Sequence, residues 1–511
     1  MMIELLILFT LVAAGIVFLA PDRVAGKLAA VLSLIPLGVS LFMYLTFDGS
    51  GNALRSGAEI AFNNRIEWFS IGDLYTLNWH VGLDGISMPL IVLSTILTTL
   101  AIVSAWTPID ERQSQFYGLM LFLEAALIGV FAALDFFVWF VFWEAVLIPM
   151  YLLIGVWGGP RRKYAAIKFF VYTNLASLVM FIGFAALVFG LGDVVNTFDL
   201  TDVAMALEVT EPDAAPWIDA GTLKAAAFAA MFIGFAVKVP IVPFHTWLPD
   251  AHVEAPSPVS VLLAGVLLKM GTYALLRFNF TMLPEQAVEF AEIIAVVAVI
   301  SVIYGALLAL AQTDLKRIVA YSSVSSMGYV IIGLLAFTVY GVGGATFQMV
   351  AHGLISGLLF MVGGVVYNQT HTRMLSDMSG LGSKMPLTVL AFVAGAFAYM
   401  GLPLMAGFAA EFFIFLGAFS STLLPAAHIV TPAAMFGVVI VAGYLLWAMQ
   451  RTLFGPYELD ADYKPGLAPL HDLAPMFVLL ALIVALGVAP DLIFEMITDA
   501  TEPIIPTGGE F

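Results

Sequence analysis

The sequence predicts an all-α polytopic membrane protein of about fourteen transmembrane helices, with the seventh and twelfth helices broken. Three observations carry that prediction. The 511 residues are 62% hydrophobic and only 11% charged, whereas soluble domains carry about 25% charged residues. Apolar runs of about 20 residues, the length that crosses a bilayer core, recur from one end of the chain to the other. No polar stretch is long enough to build a soluble domain. Cysteine is absent, which rules out disulfides, thiolate zinc sites and Cys-ligated iron–sulfur clusters in this polypeptide. Neither a P-loop nor a strand-borne dinucleotide fingerprint is present. The chain is therefore expected to hold no cofactor and no metal of its own, and to bind no nucleic acid.

The start, MMIELLILFTLVAAGIVFLAP, has Glu4 where a signal peptide would have basic residues, so it reads as the first span. The spans that follow are expected near 28–47, 84–106, 116–134, 136–158, 165–191, 223–248, 255–278, 288–311, 317–338, 342–367, 386–420, 430–454 and 473–498. Asp135 divides the fourth from the fifth; it reads as a surface acid at a boundary. Connections are short except at 48–83 and 192–222, which predicts one compact bundle. Much of the net charge of −17 lies in the second of these, at Asp193, Asp199, Asp202, Glu208, Glu211, Asp213 and Asp219, with Glu502 and Glu510 in the tail.

Basic residues set the orientation. Thirteen of the 19 lie at or beside odd-numbered connections: Arg23, Lys27, Arg112, Arg161, Arg162, Lys163, Lys168, Lys316, Arg317, Arg373, Lys384, Arg451 and Lys464. These connections should face the cytoplasm of a bacterial inner membrane, with both termini periplasmic and Lys316 and Arg317 acting as an anchor. Even-numbered connections hold Arg55, Arg65, Lys224 and Arg277. Lys238 and Lys269 fall inside spans.

Ionisable groups within apolar spans cost at least ~2.5–3.5 kcal/mol each and mark functional positions. Glu124, Glu144, Lys238, Lys269 and Glu411 are of this kind. Burial disfavours a charged lysine unless a carboxylate stands beside it, so Glu144 is the expected partner of Lys238, their separation deciding whether the lysine keeps its proton. Pro240 and Pro243 follow Lys238 and remove the helical donors for the carbonyls of Ala236 and Val239, which neighbouring groups or water must then satisfy. The break thus offers water beside the lysine. Pro403, with Gly401 and Gly407, interrupts the twelfth span five spans later, an odd offset that implies an inverted repeat. His245 and His252 suit proton relay or capping of the broken helix; structural hydrogen bonding is the alternative, and no third ligand stands at a metal-binding spacing. Lys269 is the next proton acceptor, with a structural salt bridge as its alternative. His352 links to the second half or is a satisfied buried histidine. Glu411 is the terminal acid, and Glu124 either relays protons or only tunes its neighbours.

FVFWEAVLIPMYLLIGVWGG, KVPIVPFHTWLPDAHVEAPSPVSVLLAGVLLKMGTYALLR, DLKRIVAYSSVSSMGYVIIG and the span around Glu411 resemble the antiporter-like membrane subunits of respiratory complex I, the proton-pumping NADH:quinone oxidoreductase. The resemblance runs from about 84 to 455. It implies two inverted five-helix units, 116–279 (helices 4–8) and 280–455 (helices 9–13), after N-terminal helices in 1–115 and before a last helix and tail in 456–511. It also implies that Glu144, Lys238, Lys269 and Glu411 transfer protons. Glutamate at 411 and a chain that stops soon after the fourteenth span resemble the M-type branch; L- and N-type chains typically have lysine there. The implied function is proton translocation from cytoplasm to periplasm, coupled to quinone reduction in other subunits. NADH, FMN, iron–sulfur clusters and quinone would be held by partners, which include L-type and N-type chains. The alternative is a subunit of a multisubunit cation/proton antiporter without a redox partner.

Overall fold

The computed structural model describes every residue except 73–74, 193, 213–217, 461–462 and 507–511; of the acidic positions above, Asp193, Asp213 and Glu510 lie outside the described residues. In lipid every backbone N–H and C=O must be paired within its own segment, which forces apolar runs into helices. Thirteen of the described helices are long and apolar enough to span a membrane. They begin with α1 (Met2–Leu19), α2 (Asp22–Leu45), α3 (Ser87–Ser104) and α4 (Gln113–Ala132). The fifth span is a pair, α5 (Phe136–Ala145) and α6 (Leu147–Trp157), followed by α7 (Arg162–Gly190). A short α8 (Leu200–Val209) precedes α9 (Ala220–Lys238) and α10 (Trp247–Glu254).

The eighth span joins α11 (Ser257–Leu262), a π-helical turn, α12 (Leu268–Ala274) and a second π-helical stretch ending at Thr281. After the short α13 (Pro284–Glu289) come α14 (Ala291–Leu310), α15 (Leu315–Leu335) and the central α16 (Val339–Thr370). Two shorter apolar helices, α17 (Pro386–Tyr399) and α18 (Ala406–Ser420), together form the broken twelfth crossing. The chain continues as α19 (Ala427–Leu453), α20 (Leu470–Val488) and α21 (Asp491–Thr501).

Side chains that accept the orphan N–H groups of a first turn fix several helix starts. Asp135 accepts from Phe137 and Val138, Asp219 from Thr222, and Asp314 from Lys316 and Arg317. Proline occupies the first turn of α11, α13 and α17, where its missing donor costs nothing.

The odd-numbered connections touch one another, as connections on one side of a bundle do. Leu315 N donates to Arg373 O, Gly159 N to Glu254 O, Arg373 Nη1 to Val253 O and Gly380 N to Phe454 O. These all join odd-numbered connections. Connections two and six meet where Thr76 N donates to Asn196 O, and Asn52 Nδ2 reaches Ala500 O of the C-terminal helix.

Four features depart from the sequence reading. The 48–83 connection folds into an antiparallel hairpin, β1 (Ala61–Ile71) with β2 (Tyr75–Leu83), because polar and aromatic side chains alternate there. The acidic connection contains the helix α8, capped by Asp199. Asp135 is fully buried rather than on the surface, since three backbone N–H groups bind its carboxylate. Lys316 is likewise buried and donates to Ala255 O at 2.6 Å, closing the C-terminal end of α10 instead of anchoring the chain at a surface.

Exposed apolar side chains such as Leu5, Ile35, Leu175, Ile182 and Val439 ring the outside. The whole eighth span and, past its first residues, most of α16 are enclosed. The centre of the bundle is therefore shielded from lipid, and the intramembrane polar groups gather there.

Candidate functional site

The first half of the site is built on the break after α9. Lys238 is the last residue of that helix and is 2% exposed. Beyond it, the carbonyl of Ala236 takes a bond from Ile241 N at 3.1 Å, and that of Val237 from Trp247 Nε1 at 2.8 Å. Ser301 of α14 accepts from Val242 N. Lys168 of α7 donates both to Thr246 O and to Asp250, each at 2.8 Å. Side chains from three elements thus hold open a segment that the prolines deny to the helix.

Among the described residues, Lys238 Nζ has no hydrogen-bond partner and no ion pair. It lies over the faces of Trp143, at 5.0 Å, and Phe169, at 5.8 Å, a contact that stabilises an ammonium where water is excluded. The expected bond to Glu144 is not formed. Glu144, half-buried, turns one oxygen to Asn174 Nδ2 of α7 at 3.0 Å and leaves the other unpaired. Its carboxylate remains near enough to act on Lys238 through space.

Lys269 sits between the two π-helical stretches of the eighth span, fully buried. Its Nζ donates to Ala264 O, five residues earlier, at 2.6 Å. A π turn leaves a carbonyl without its usual i+4 donor, and the lysine fills that place. Gly271, two residues on, touches the break itself: a Cβ there would fall 2.8 Å from Val239 N and 3.1 Å from the carbonyl carbon of Lys238. The absence of a side chain lets the two lysine-bearing helices meet.

From Lys269 the hydrogen bonds continue into the second half. Nζ lies 2.6 Å from His352 Nδ1 on α16, His352 Nε2 lies 3.0 Å from the hydroxyl of Tyr399 on α17, and that hydroxyl bonds Ser326 Oγ of α15 at 2.9 Å. If the lysine donates to Nδ1, the imidazole carries its hydrogen on Nε2 and donates to Tyr399. The phenol then accepts from both sides and has its own hydrogen free to pass on. Glu411, on α18 just after the second break, is 8% exposed, and Tyr329 and Tyr444 are buried nearby with unpaired hydroxyls. Gly401 turns the backbone there with φ +70°, and a Cβ on it would lie 2.7 Å from Glu411 Oε2.

The remaining candidates divide. His252 is fully enclosed, with neither ring nitrogen bonded, and stacks on Phe360 at 4.4 Å within electrostatic reach of Lys269 and Lys316. His245 is buried beside Tyr304 and Tyr321 with Nδ1 unpaired. Glu124 is completely buried on α4 with both oxygens unpaired; no hydrogen bond or ion pair joins it to the line. Tyr399, Ser326, Asn174 and Trp143 escaped the sequence reading, which looked for charge. A hydroxyl at a helix break, as in FAYMGLP, was the available signal for Tyr399.

On the hairpin face a second polar cluster lies outside the spans. His80 contacts Asp199 at 2.6 Å through Nδ1 and Asn63 Oδ1 at 2.9 Å through Nε2. Burial pushes the neighbouring Asp135 carboxyl up to about 6 against its three backbone donors, with Asp199 adding to the rise. Burial would also raise Asp199, but the bonds from His80 and Thr201 and the charge of Arg65 hold it below the usual range.

Two family models match. Residues 133–437 fit the NADH:quinone oxidoreductase/Mrp antiporter transmembrane family, and 59–130 the amino terminus of NADH-ubiquinone oxidoreductase chain 4. An NAD(P)H-quinone oxidoreductase chain 4 of Synechococcus elongatus is 41% identical over 97% of this chain and 90% of its own length. F(420)H(2) dehydrogenase subunit M of Methanosarcina mazei is 38% identical over 98% and 97%. Among solved structures, a chain of respiratory complex I from Thermus thermophilus superposes with TM-score 0.84 at 26% identity, covering 99% of this chain and all of that one. A chain of the Mrp complex from Dietzia shares the fold, with TM-score 0.83 at 20% identity over 98% and 97%. The chain belongs to the chain 4, or M-type, branch of the antiporter-like membrane subunits of NADH:quinone oxidoreductases.

Proposed function

We propose that this chain translocates protons across a bacterial inner membrane as the M-type subunit of an NADH:quinone oxidoreductase, with NADH, flavin, iron–sulfur clusters and quinone held by partner subunits. Lys238, biased by Glu144, exchanges protons at the first break. Lys269 receives them, His352 and Tyr399 carry them between the halves 116–279 and 280–455, and Glu411 releases them. His245 and His252 load the line from the side of the odd-numbered connections, and Glu124 tunes the field of the first half. One observation carries this reading: the unbroken run of bonds from Lys269 through His352 to Tyr399, buried deep in the bundle. Such groups cost too much to bury unless they work.

The test is Lys269→Ala and Glu411→Ala in membrane vesicles, following quinone-linked NADH oxidation and the pH gradient. Loss of the gradient is expected in both; full pumping in either overturns the assignment, and sodium-dependent proton flux without NADH oxidation selects the antiporter instead. Orientation has its own check. The chain has no cysteine, so Ser376→Cys and Ser70→Cys, both exposed, introduce single labelling sites. An impermeant thiol reagent should reach Ser376→Cys only from the cytoplasmic side and Ser70→Cys only from the periplasmic side. The reverse pattern refutes the periplasmic placement of both termini.

A further inference from the structure

Residues 143 and 144, adjacent on α5, are both held by α7 through residues three apart. Trp143 Nε1 donates to Ser177 Oγ at 2.9 Å, and Asn174 Nδ2 donates to Glu144 Oε2 at 3.0 Å. Positions i and i+3 share one face of a helix, so a single strip of α7 fixes the ring on which Lys238 rests and the carboxylate that would pair with it. The backbone beside Glu144 lacks one bond of the helical ladder. Position 149 is proline, so the carbonyl of Ala145 has no i+4 donor, and α5 gives way to α6 at Val146. Glu144 can therefore move between two places, one against Asn174 and one against Lys238, whose ammonium has no polar partner in the present arrangement.

We propose that Asn174 is a positioning residue that latches Glu144 away from Lys238, so that the carboxylate–ammonium pair forms only when the Asn174 bond is given up. The bond is local and edge-placed, with lipid-facing Leu175 and Leu178 beside it and Val141 and Ile148 beside Glu144. A hydrogen bond to a charged group shifts such an equilibrium by about tenfold or more, enough to decide which place is occupied.

The proposal rests on the pumping role of Glu144, and its test separates the two. In membranes carrying the intact complex, the infrared carboxyl band of Glu144 is assigned as the one lost in Glu144→Gln. Asn174→Leu keeps the branched outline without a donor. It is expected to move that band to higher wavenumber and to lower pumping about tenfold, while Asn174→Gln, which keeps the amide, restores pumping to within about twofold. An unmoved band in Asn174→Leu overturns the latch, as does normal pumping there or equal loss in Asn174→Gln. Should Asn174→Leu not accumulate, Asn174→Ala, which also lacks the donor, takes its place: the same shift is expected, and an unmoved band overturns the latch. Normal pumping in Glu144→Gln would instead remove the underlying role.

Discussion

Replacing Tyr399 by phenylalanine isolates the link between the two halves of the bundle. The substitution deletes one oxygen and leaves the ring, which packs edge-on against His352 with centroids 5.7 Å apart. Helix packing is thus retained, and no cavity larger than a hydroxyl is created. The deleted oxygen bonds His352 Nε2 at 3.0 Å and Ser326 Oγ at 2.9 Å, both in a region closed to solvent. An unpaired buried donor costs about 1–3 kcal/mol. If that cost falls on the transfer step, with each 1.36 kcal/mol worth a factor of ten, transfer slows about five- to 150-fold. The assay is the initial rate of pH-gradient formation in inside-out vesicles energised with NADH, with the amount of assembled complex as control. His352→Leu should slow it at least as much, and the double variant should be no slower than the worse single one, because both delete the same link. Wild-type pumping by Tyr399→Phe would show that protons do not use this hydroxyl.

Two further outcomes concern stability. Arg277 reaches both oxygens of Asp84 at 2.5 and 2.6 Å, and the pair is buried where the eighth span meets the corner before α3; Asp84→Asn should cost about 3–5 kcal/mol by stranding the guanidinium, whereas Asp84→Asn with Arg277→Met should cost much less. Melting temperatures in detergent check this, and additive losses would refute it. Asp135 titrates at about 6 when folded against an ordinary 3.8, so the folded chain binds that proton more tightly than the unfolded chain. Stability is full at low pH, falls as pH rises from about 4 to about 6, and stays about 3 kcal/mol lower above that window. Asp199, held low, acts the other way, but only below the ordinary carboxylate range. Asp135→Asn should therefore flatten melting between about pH 4 and about pH 6; an unchanged slope would refute the assignment.

The fold was legible in the sequence wherever its cause was local. An apolar run of about 20 residues in lipid has one solution, a helix, so most spans fell where the hydrophobicity placed them; the last, expected over 473–498, divides into α20 and α21 at Pro490. The interruptions at Pro240, Pro243 and Pro403 were legible because a missing N–H is written in the residue itself. The fifth span hid its discontinuity, since Pro149 stands where a first-turn proline is also at home. The hairpin was missed because its apolar residues, such as Tyr75, Leu77, Trp79, Val81 and Leu83, alternate with others rather than forming a run of membrane length, and α8 because Asp199 read as one more acid in an acidic run. Charge pointed to Glu144, Lys238, Lys269 and Glu411, but it could not say which partner each residue takes. In the structure Lys238 rests on aromatic rings and Glu144 on an amide, while Lys269 finds an imidazole and a π-turn carbonyl. None of these partners carries a formal charge, so a search for opposite charges passes over them. That distinction bears on mechanism. A lysine locked to a carboxylate would have its proton held by a partner of fixed charge, whereas one held by rings, amides and imidazoles can exchange it when a single carboxylate moves by a few ångströms. Neutral partners around mobile charge are what a switch requires, and under the proposed function they make Asn174 and Tyr399, rather than the charged residues alone, the positions at which proton transfer would be adjusted.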